Sequence, residues 1–282
     1  MAKKAVLIGI NRYRIAGADL RGCINDVKNM QGVLTGSYGF KPADITVITD
    51  FGASKKAIQS GITKLVRDGR KGDVLLIHYS GHGSNVPDDD GDEADDRDEI
   101  VCPADLDWKD PLRDDWLRKT FDSLRAGVSL TVITDCCHSG SITRAVQPPD
   151  APVIQRYLPS PWDLVAAESG RKVRGSVKTG LRKSKAAAQK TKDVVEIDIP
   201  EVLVTGCRAD QTSADASIGG SFNGALTYNL VAALADAKGR ELSYRDLHTS
   251  TMAKLKRGRF DQVPQLEGAK KRLDQPFLSP IA

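Results

Sequence analysis

The chain has 282 residues, 40% hydrophobic and 28% charged, with a formal net charge of +4. That supplies a sizeable core in one large domain or two small ones, and no run approaches the ~20 apolar residues of a membrane span. The five cysteines are odd in number and two are adjacent, which argues against a secreted disulfide framework and fits a reducing, cytoplasmic compartment.

Short apolar runs alternate with amphipathic segments. The first run, Ala5–Ile10, is too short for a signal peptide's apolar core plus cleavage site. Strands are predicted at 4–10, 45–49, 73–79, 129–135 and 202–207. They are rich in Val, Ile and Leu without alternation, as strands buried on both faces are. After Asn25-Asp26, the stripe Val27, Met30, Val33 and Leu34 predicts a helix. Ile58, Ile62, Leu65 and Val66 predict a second, with Ser54 as its N-cap. Later helices are predicted at 224–238 and 243–256. This β-α-β-α order implies an α/β fold with a mainly parallel sheet and helices on both faces. Ligands bind such sheets beyond the carboxyl ends of the strands.

Two segments depart from the pattern. Residues 88–99 carry nine acidic side chains, and residues 171–192 carry nine basic ones with no acidic or aromatic residue. With the Pro-rich run 148–161, the basic stretch reads as a long mobile loop. The expected organisation is a single domain, 1–282. Residues 148–198 form the basic insertion between a first region, 1–147, and a last, 199–282.

His78-Tyr79-Ser80-Gly81-His82-Gly83 follows the third predicted strand, and Asp135-Cys136-Cys137-His138-Ser139-Gly140 follows the fourth. Fold logic therefore brings His82 and Cys137 to one rim. A thiolate attacks carbonyls, and an imidazole can take its proton and return it to the leaving group. With period-two alternation, Asp135 and Cys137 point the same way, as do Ser80 and His82. An Asp beside the nucleophile could bind a cationic substrate group or tune the histidine. The amides of Gly83 and Cys137 are candidate oxyanion donors. Cys136, Cys102 and Cys207 read as core hydrophobes, and His78 and His248 as structural. A zinc site from His78, His82, Cys137 and His138 is disfavoured, because the His78-to-His82 spacing suits a helix face and here spans a strand end. No G-x-S-x-G elbow and no G-x-G-x-x-G fingerprint is present.

These two motifs resemble the active-site motifs of the metacaspases, caspase-like cysteine peptidases. Gly22-Cys23-Ile24-Asn25-Asp26 and Asp210-Gln211-Thr212-Ser213-Ala214-Asp215 extend the match, which runs from the first strand to Pro264-Gln265-Leu266. The 55-residue His-to-Cys spacing (137 − 82) also suits the caspase arrangement. The resemblance implies a caspase-like fold, Cys137 as nucleophile and His82 as base. It implies an S1 pocket with Asp26 and Asp135, and with Cys23 and Ser80 nearby. Two carboxylates there favour Arg or Lys before the scissile bond. Many metacaspases need calcium. Asp98, Asp114 and Asp115 match part of that site, but Arg144 stands where a further Asp belongs, and a cation there repels calcium. The loop is no EF-hand either, since Val86 and Arg97 fall at its positions 1 and 12. The family's N-terminal extension has no expected counterpart, the first strand beginning near Lys4.

The expected function is an Arg/Lys-specific cysteine endopeptidase. It works through a thioester acyl-enzyme, needs no cofactor for the chemistry, and acts as a monomer on protein or peptide substrates. It is a zymogen that cuts itself within 156–192, after a residue of the basic run. The alternatives are a silent caspase-like scaffold and a nucleic-acid binder using residues 171–192. The second is opposed by the absence of aromatics for stacking.

Overall fold

The computed structural model describes residues 1–89, 91, 96–138, 152–168, 193–208 and 211–281. In chain order its first elements are β1 (Lys3–Gly9), α1 (Cys23–Ser37), β2 (Ile45–Thr49), α2 (Lys55–Arg67) and β3 (Val74–Ser80). Then come β4 (Gly83–Pro87), β5 (Arg97–Val101), β6 (Leu112–Arg113), α3 (Asp114–Asp122) and β7 (Ser129–Asp135). After these follow β8 (Val153–Gln155), α4 (Pro161–Glu168), β9 (Val194–Glu196), β10 (Glu201–Thr205), β11 (Ala214–Ile218) and β12 (Ser221–Gly224). The last are α5 (Ala225–Asp236), α6 (Tyr244–Arg257), β13 (Gln265–Gly268) and α7 (Lys270–Leu273).

Alternation along the strands shows why the sheet lies between two helix layers. In β1, Val6 and Ile8 enter one core, while Ala5 and Leu7 enter the other. The first core takes Leu75, Ile77, Leu130 and Val132 from the sheet and Ile58, Ile62, Leu65 and Val66 from α2. The second takes Leu76 and Ile133, Val27, Met30 and Leu34 of α1, and Leu226 and Leu230 of α5. Ser54 caps α2, its side chain accepting from the Ala57 amide, as the sequence predicts.

The central sheet runs β2-β1-β3-β7-β10-β13-β9. Every pairing is parallel except β10 with β13. This is the mainly parallel caspase-like α/β fold expected from the sequence. Two three-stranded sheets, β4-β5-β6 and β12-β11-β8, complete the described strands. The predicted strand 202–207 stops at Thr205, and Gly206-Cys207 bend away.

The expectation that 148–198 is one mobile loop needs correction where the structure describes it. Residues 153–155 form β8 and pair with β11, 161–168 form α4, and 194–196 form β9 on the edge of the main sheet. Extended Val-Ile-Gln and Val-Val-Glu suit strands, and Pro161 suits the first turn of a helix. The basic run 171–192 lies outside the described residues.

Candidate active site

Adjacent strands deliver the site. Ser80 at the end of β3 pairs with Asp135 at the end of β7, and on its other side Ser80 pairs with Gly9 of β1. Gly9 must be glycine, because a Cβ there would lie 2.6 Å from Val27 Cγ2 and 2.7 Å from the Cys23 carbonyl oxygen. That close approach seats α1 on the strand ends. It brings Cys23 and Asp26, both fully buried, to Ser80, whose Oγ donates to Asp26 Oδ2 at 2.7 Å.

His82 opens the next loop. Its Nε2 lies 2.8 Å from the Ala18 carbonyl oxygen. A carbonyl only accepts, so Nε2 carries the proton and Nδ1 of the neutral ring carries the lone pair. Nδ1 is buried and has no hydrogen-bond partner among the described residues. Burial lowers the imidazole to about 4, against the Ala18 hydrogen bond, so the ring is neutral at physiological pH. Its amide donates to Tyr13 Oη at 2.8 Å, and its carbonyl accepts from Tyr79 Oη at 2.6 Å. The backbone of the loop is thereby fixed.

Cys137 follows β7 and is fully buried. The Ser213 amide donates to its Sγ. Burial raises the thiol well above its usual range, and the adjacent Cys207 thiol adds to the rise. Cys136 lies on the other side, in the core with Val132 and Tyr79, 3.7 Å from His138 Nε2.

The Arg156 backbone occupies the space between the two loops. Its carbonyl oxygen accepts from the Gly83 amide at 3.0 Å and from the Cys137 amide at 3.3 Å. Its guanidinium is fully buried. Nη2 lies 2.7 Å from Asp26 Oδ2. Nη1 donates to Ser80 Oγ at 2.8 Å and to the Asp135 carbonyl at 3.0 Å, with Asp135 Oδ1 3.4 Å away. Asp215 Oδ1 stands 3.9 Å from Nη2. Gly224 forms the wall. Its amide donates to both Asp26 oxygens, and a Cβ there would lie 2.3 Å from Asp135 Oδ2 and 2.4 Å from Arg156 Nη1. Upstream, β8 lies antiparallel to β11, and the Arg156 amide donates to the Ser213 carbonyl at 3.0 Å. The chain thus crosses the site extended, with one carbonyl held by two amides and one cation held by three carboxylates.

Known proteins fit this geometry. Residues 3–145 match the family model of the metacaspase peptidase C14 domain. The chain is 34% identical to Metacaspase-1 of Emericella nidulans over 95% of its length and 70% of that protein's. The chain belongs to the metacaspases. Metacaspase-1A of Aspergillus niger is 35% identical over 94% of this chain and 69% of its own. The crystal structure of protein GSU0716 from Geobacter sulfurreducens superposes over the whole of both chains with a TM-score of 0.70 at 26% identity.

The structure groups the residues singled out from the sequence unequally. Cys23, Asp26, Ser80, His82, Gly83, Asp135 and Cys137 converge around Arg156. His78 and His248 do not join them, since their Nε2 atoms face Thr227 Oγ1 and the Pro264 carbonyl. Asp98, Asp114 and Asp115 lie at the β5–β6–α3 corner. Asp98 is buried against Arg113, whose Nε lies 2.5 Å away and whose Nη2 reaches Asp89 at 2.8 Å. Burial, then Glu99, raises Asp114 to about 7. No group of three or more His, Cys, Asp or Glu side chains among the described residues is placed to hold a metal ion. A divalent cation needs free oxygen ligands, and Asp98 Oδ2 is already taken by the Arg113 guanidinium, which opposes cation binding there. Arg144 lies outside the described residues.

Four participants were not assigned from the sequence. Asp215 and Ser213 lie in a quoted motif that gave them no role. The Ala18 carbonyl carries no side-chain signal at all. Arg156 is one Arg among many, and only the strand-forming Val-Ile-Gln before it sets it apart.

Proposed function

We propose that this metacaspase, a cysteine-type peptidase by family, is an endopeptidase that cleaves after Arg, and more slowly after Lys. We further propose that it processes itself between Arg156 and Tyr157. The observation that carries this reading is Arg156 itself, a buried guanidinium among Asp26, Asp135 and Asp215 with its carbonyl on the Gly83 and Cys137 amides. A buried cation requires such partners. The partners are spread over Nη1 and Nη2, which suits the planar guanidinium fork better than a lysine ammonium.

His82 Nδ1 takes the Cys137 thiol proton, and sulfur adds to the carbonyl carbon. Negative charge develops on the oxygen that the two amides hold, where fixed donors stabilise it most. The C–N bond breaks as the imidazolium proton passes to the leaving amine, giving a thioester on Cys137. Water, deprotonated by His82, then releases the carboxylate and restores the thiol. His82 suits this role because its Nε2–H is fixed on Ala18 and its other nitrogen is free.

The reading is tested with fluorogenic peptides ending in Arg, Lys or Asp, and by intact-mass analysis of wild type beside Cys137→Ala. Cleavage after Arg, a wild-type cut at Arg156, and neither in Cys137→Ala are expected. Cys136→Ala should keep most of the activity. Preference for Asp-ended peptides would refute the pocket assignment.

A further inference from the structure

The segment after Arg156 is held independently of the bond that would be cut. The Leu158 amide donates to the Gly83 carbonyl at 3.0 Å, and Ser84 Oγ donates to the Leu158 carbonyl at 2.5 Å. Tyr157 is buried against Cys137 and Cys207, and its hydroxyl donates to Asp163 Oδ2 at 2.7 Å. The same carboxylate accepts from Ser160 Oγ at 2.9 Å, and its other oxygen pairs with Arg97 Nη2 at 2.9 Å. Asp163 is buried, so this junction is shielded from water. Pro159 and Pro161 stiffen the strap, and Pro161 starts α4. Residues 157–163 are thus fastened to β4 and β5 by contacts that do not depend on Arg156.

Upstream, Arg156 has its own anchors in the pocket and in the β8–β11 pairing. Scission would therefore leave both new ends in place, the Tyr157 amine beside the thioester carbonyl. A nucleophile held against its electrophile reacts as if at very high concentration. Tyr157 also packs against the fully buried Cys137, which limits water at the sulfur while the strap stays fastened.

We propose that this centre also makes peptide bonds, resealing Arg156 to Tyr157, so that self-cleavage is reversible while the strap stays fastened. The inference rests on the endopeptidase reading above. Resealing is the full reverse of cleavage: Cys137 sulfur adds to the Arg156 carboxylic acid, one carboxyl oxygen leaves as water with a proton from His82, and the neutral Tyr157 amine then adds to the thioester carbon. A C–N bond forms and the C–S bond breaks. The proton lost by the amine passes through His82 to the departing sulfur, one water is released overall, and no oxidant or cofactor is consumed. The acceptor class is an amino-terminal Tyr-Leu peptide carrying a carboxylate six residues on, placed for Arg97. Hydrolysis prevails once the strap lets go, so Asp163 is a positioning residue that sets the balance between sealed and cut chains.

The test is isotopic. The full-length wild-type chain is incubated in water enriched in oxygen-18, quenched, and digested with a protease that does not cut after Arg. Hydrolysis puts one heavy oxygen on the Arg156 carboxylate, and resealing from that carboxylate loses one of the two equivalent oxygens as water and keeps the other, so heavy oxygen enters the peptide carbonyl. The uncut peptide spanning Arg156–Tyr157 should therefore gain label with time. It should stay unlabelled in Cys137→Ala. Asp163→Asn and Arg97→Met should each raise the ratio of cut to sealed chain by about tenfold, as loss of one partner of a shielded pair does. They should also slow labelling of the uncut peptide relative to cleavage. A spanning peptide that stays unlabelled, beside a cut fragment carrying a single heavy oxygen, would overturn the proposal and leave the endopeptidase reading intact. Absence of any cut in a wild type that also ignores Arg-ended peptides would remove both. If the strap variants misfold, labelling of the wild-type spanning peptide still decides.

Discussion

Two of the carboxylate clusters that face an arginine among the described residues differ in where the arginine comes from. At the β5–β6 corner Asp98 and Asp89 are matched by Arg113, a neighbour on the same small sheet. In the pocket Asp26, Asp135 and Asp215 are matched by Arg156, on a segment that only crosses the site. Carboxylates satisfied by a permanent neighbour stabilise the fold and have little left to offer a ligand. Carboxylates satisfied by a removable one form a binding site that still needs a cation when the segment leaves. Removing one partner of a buried pair is costly, so the pocket carboxylates should govern substrate choice and the corner carboxylates should not.

The largest expected effect breaks the pocket side of this contrast. Asp26→Asn and Asp135→Asn should each lower kcat/KM for Arg-ended peptides by about 10²–10³-fold, the equivalent of leaving a buried cation short of a partner at about 3–5 kcal/mol. Asp98→Asn, assayed beside them, should leave kcat/KM nearly unchanged. Equal losses in all three would dissolve the distinction. Gly224→Ala should cost about 10²-fold by steric means, because its Cβ would fall 2.4 Å from the guanidinium carried by Arg156. Its backbone, at φ −71° and ψ 133°, accepts alanine without strain, so any fall in its thermal midpoint reports the clash with the buried Asp135 and Arg156 side chains rather than backbone strain.

The pH dependence is the next effect in size. Burial raises Asp26 to about 6, with Asp135 adding to the rise and Arg156 opposing it. A carboxyl whose value is raised is protonated as pH falls through that value, and a protonated Asp26 no longer pairs with a guanidinium. The kcat/KM for Arg-ended peptides should therefore drop by about tenfold per unit below pH 6. His82, lowered to about 4 by burial, stays neutral across that range and does not produce the limb. Asp26→Asn should flatten it. A limb that survives unchanged in Asp26→Asn would assign it to another group.

The fold was legible in the sequence wherever burial wrote itself into composition. The runs at 45–49 and 129–135 become the edge strand β2 and the fully buried strand β7 with those same boundaries, because both are rich in the β-branched Val, Ile and Thr that suit a pleated surface. The residues placed at strand ends, His82 and Cys137, and the pocket residues Asp26 and Asp135 also come together as the topology requires. What stayed hidden was carried by backbone or by a non-local partner. The Ala18 carbonyl has no side chain to announce it. β8 is three residues long and exists because β11, 61 positions later (214 − 153), offers it an edge. Arg156 gains its meaning only from the three carboxylates that the fold collects around it. Asp98 was singled out only through the family resemblance, and its partner Arg113, 15 residues away, is a pairing the sequence does not announce.

The smallest effect tests the corner side of the contrast. Calcium binding at Asp98, Asp114 and Asp115 would have to displace Arg113 from Asp98, leaving a half-buried guanidinium with one exposed partner, Asp89. It would also have to ionise Asp114, held to about 7 by burial and Glu99. Both steps oppose binding of a cation that takes six to eight oxygen ligands. Turnover of Arg-ended peptides by the full chain in a chelator should therefore match turnover in millimolar calcium to within about twofold, since without differential binding a ligand shifts nothing. Arg113→Met should reverse the electrostatics by freeing Asp98. In that variant millimolar calcium should raise the thermal midpoint, because a ligand that binds only the folded state stabilises it by mass action. Sub-micromolar activation of the wild type, lost in Asp114→Ala, would show that the corner carboxylates are as open to a cation as those of the pocket.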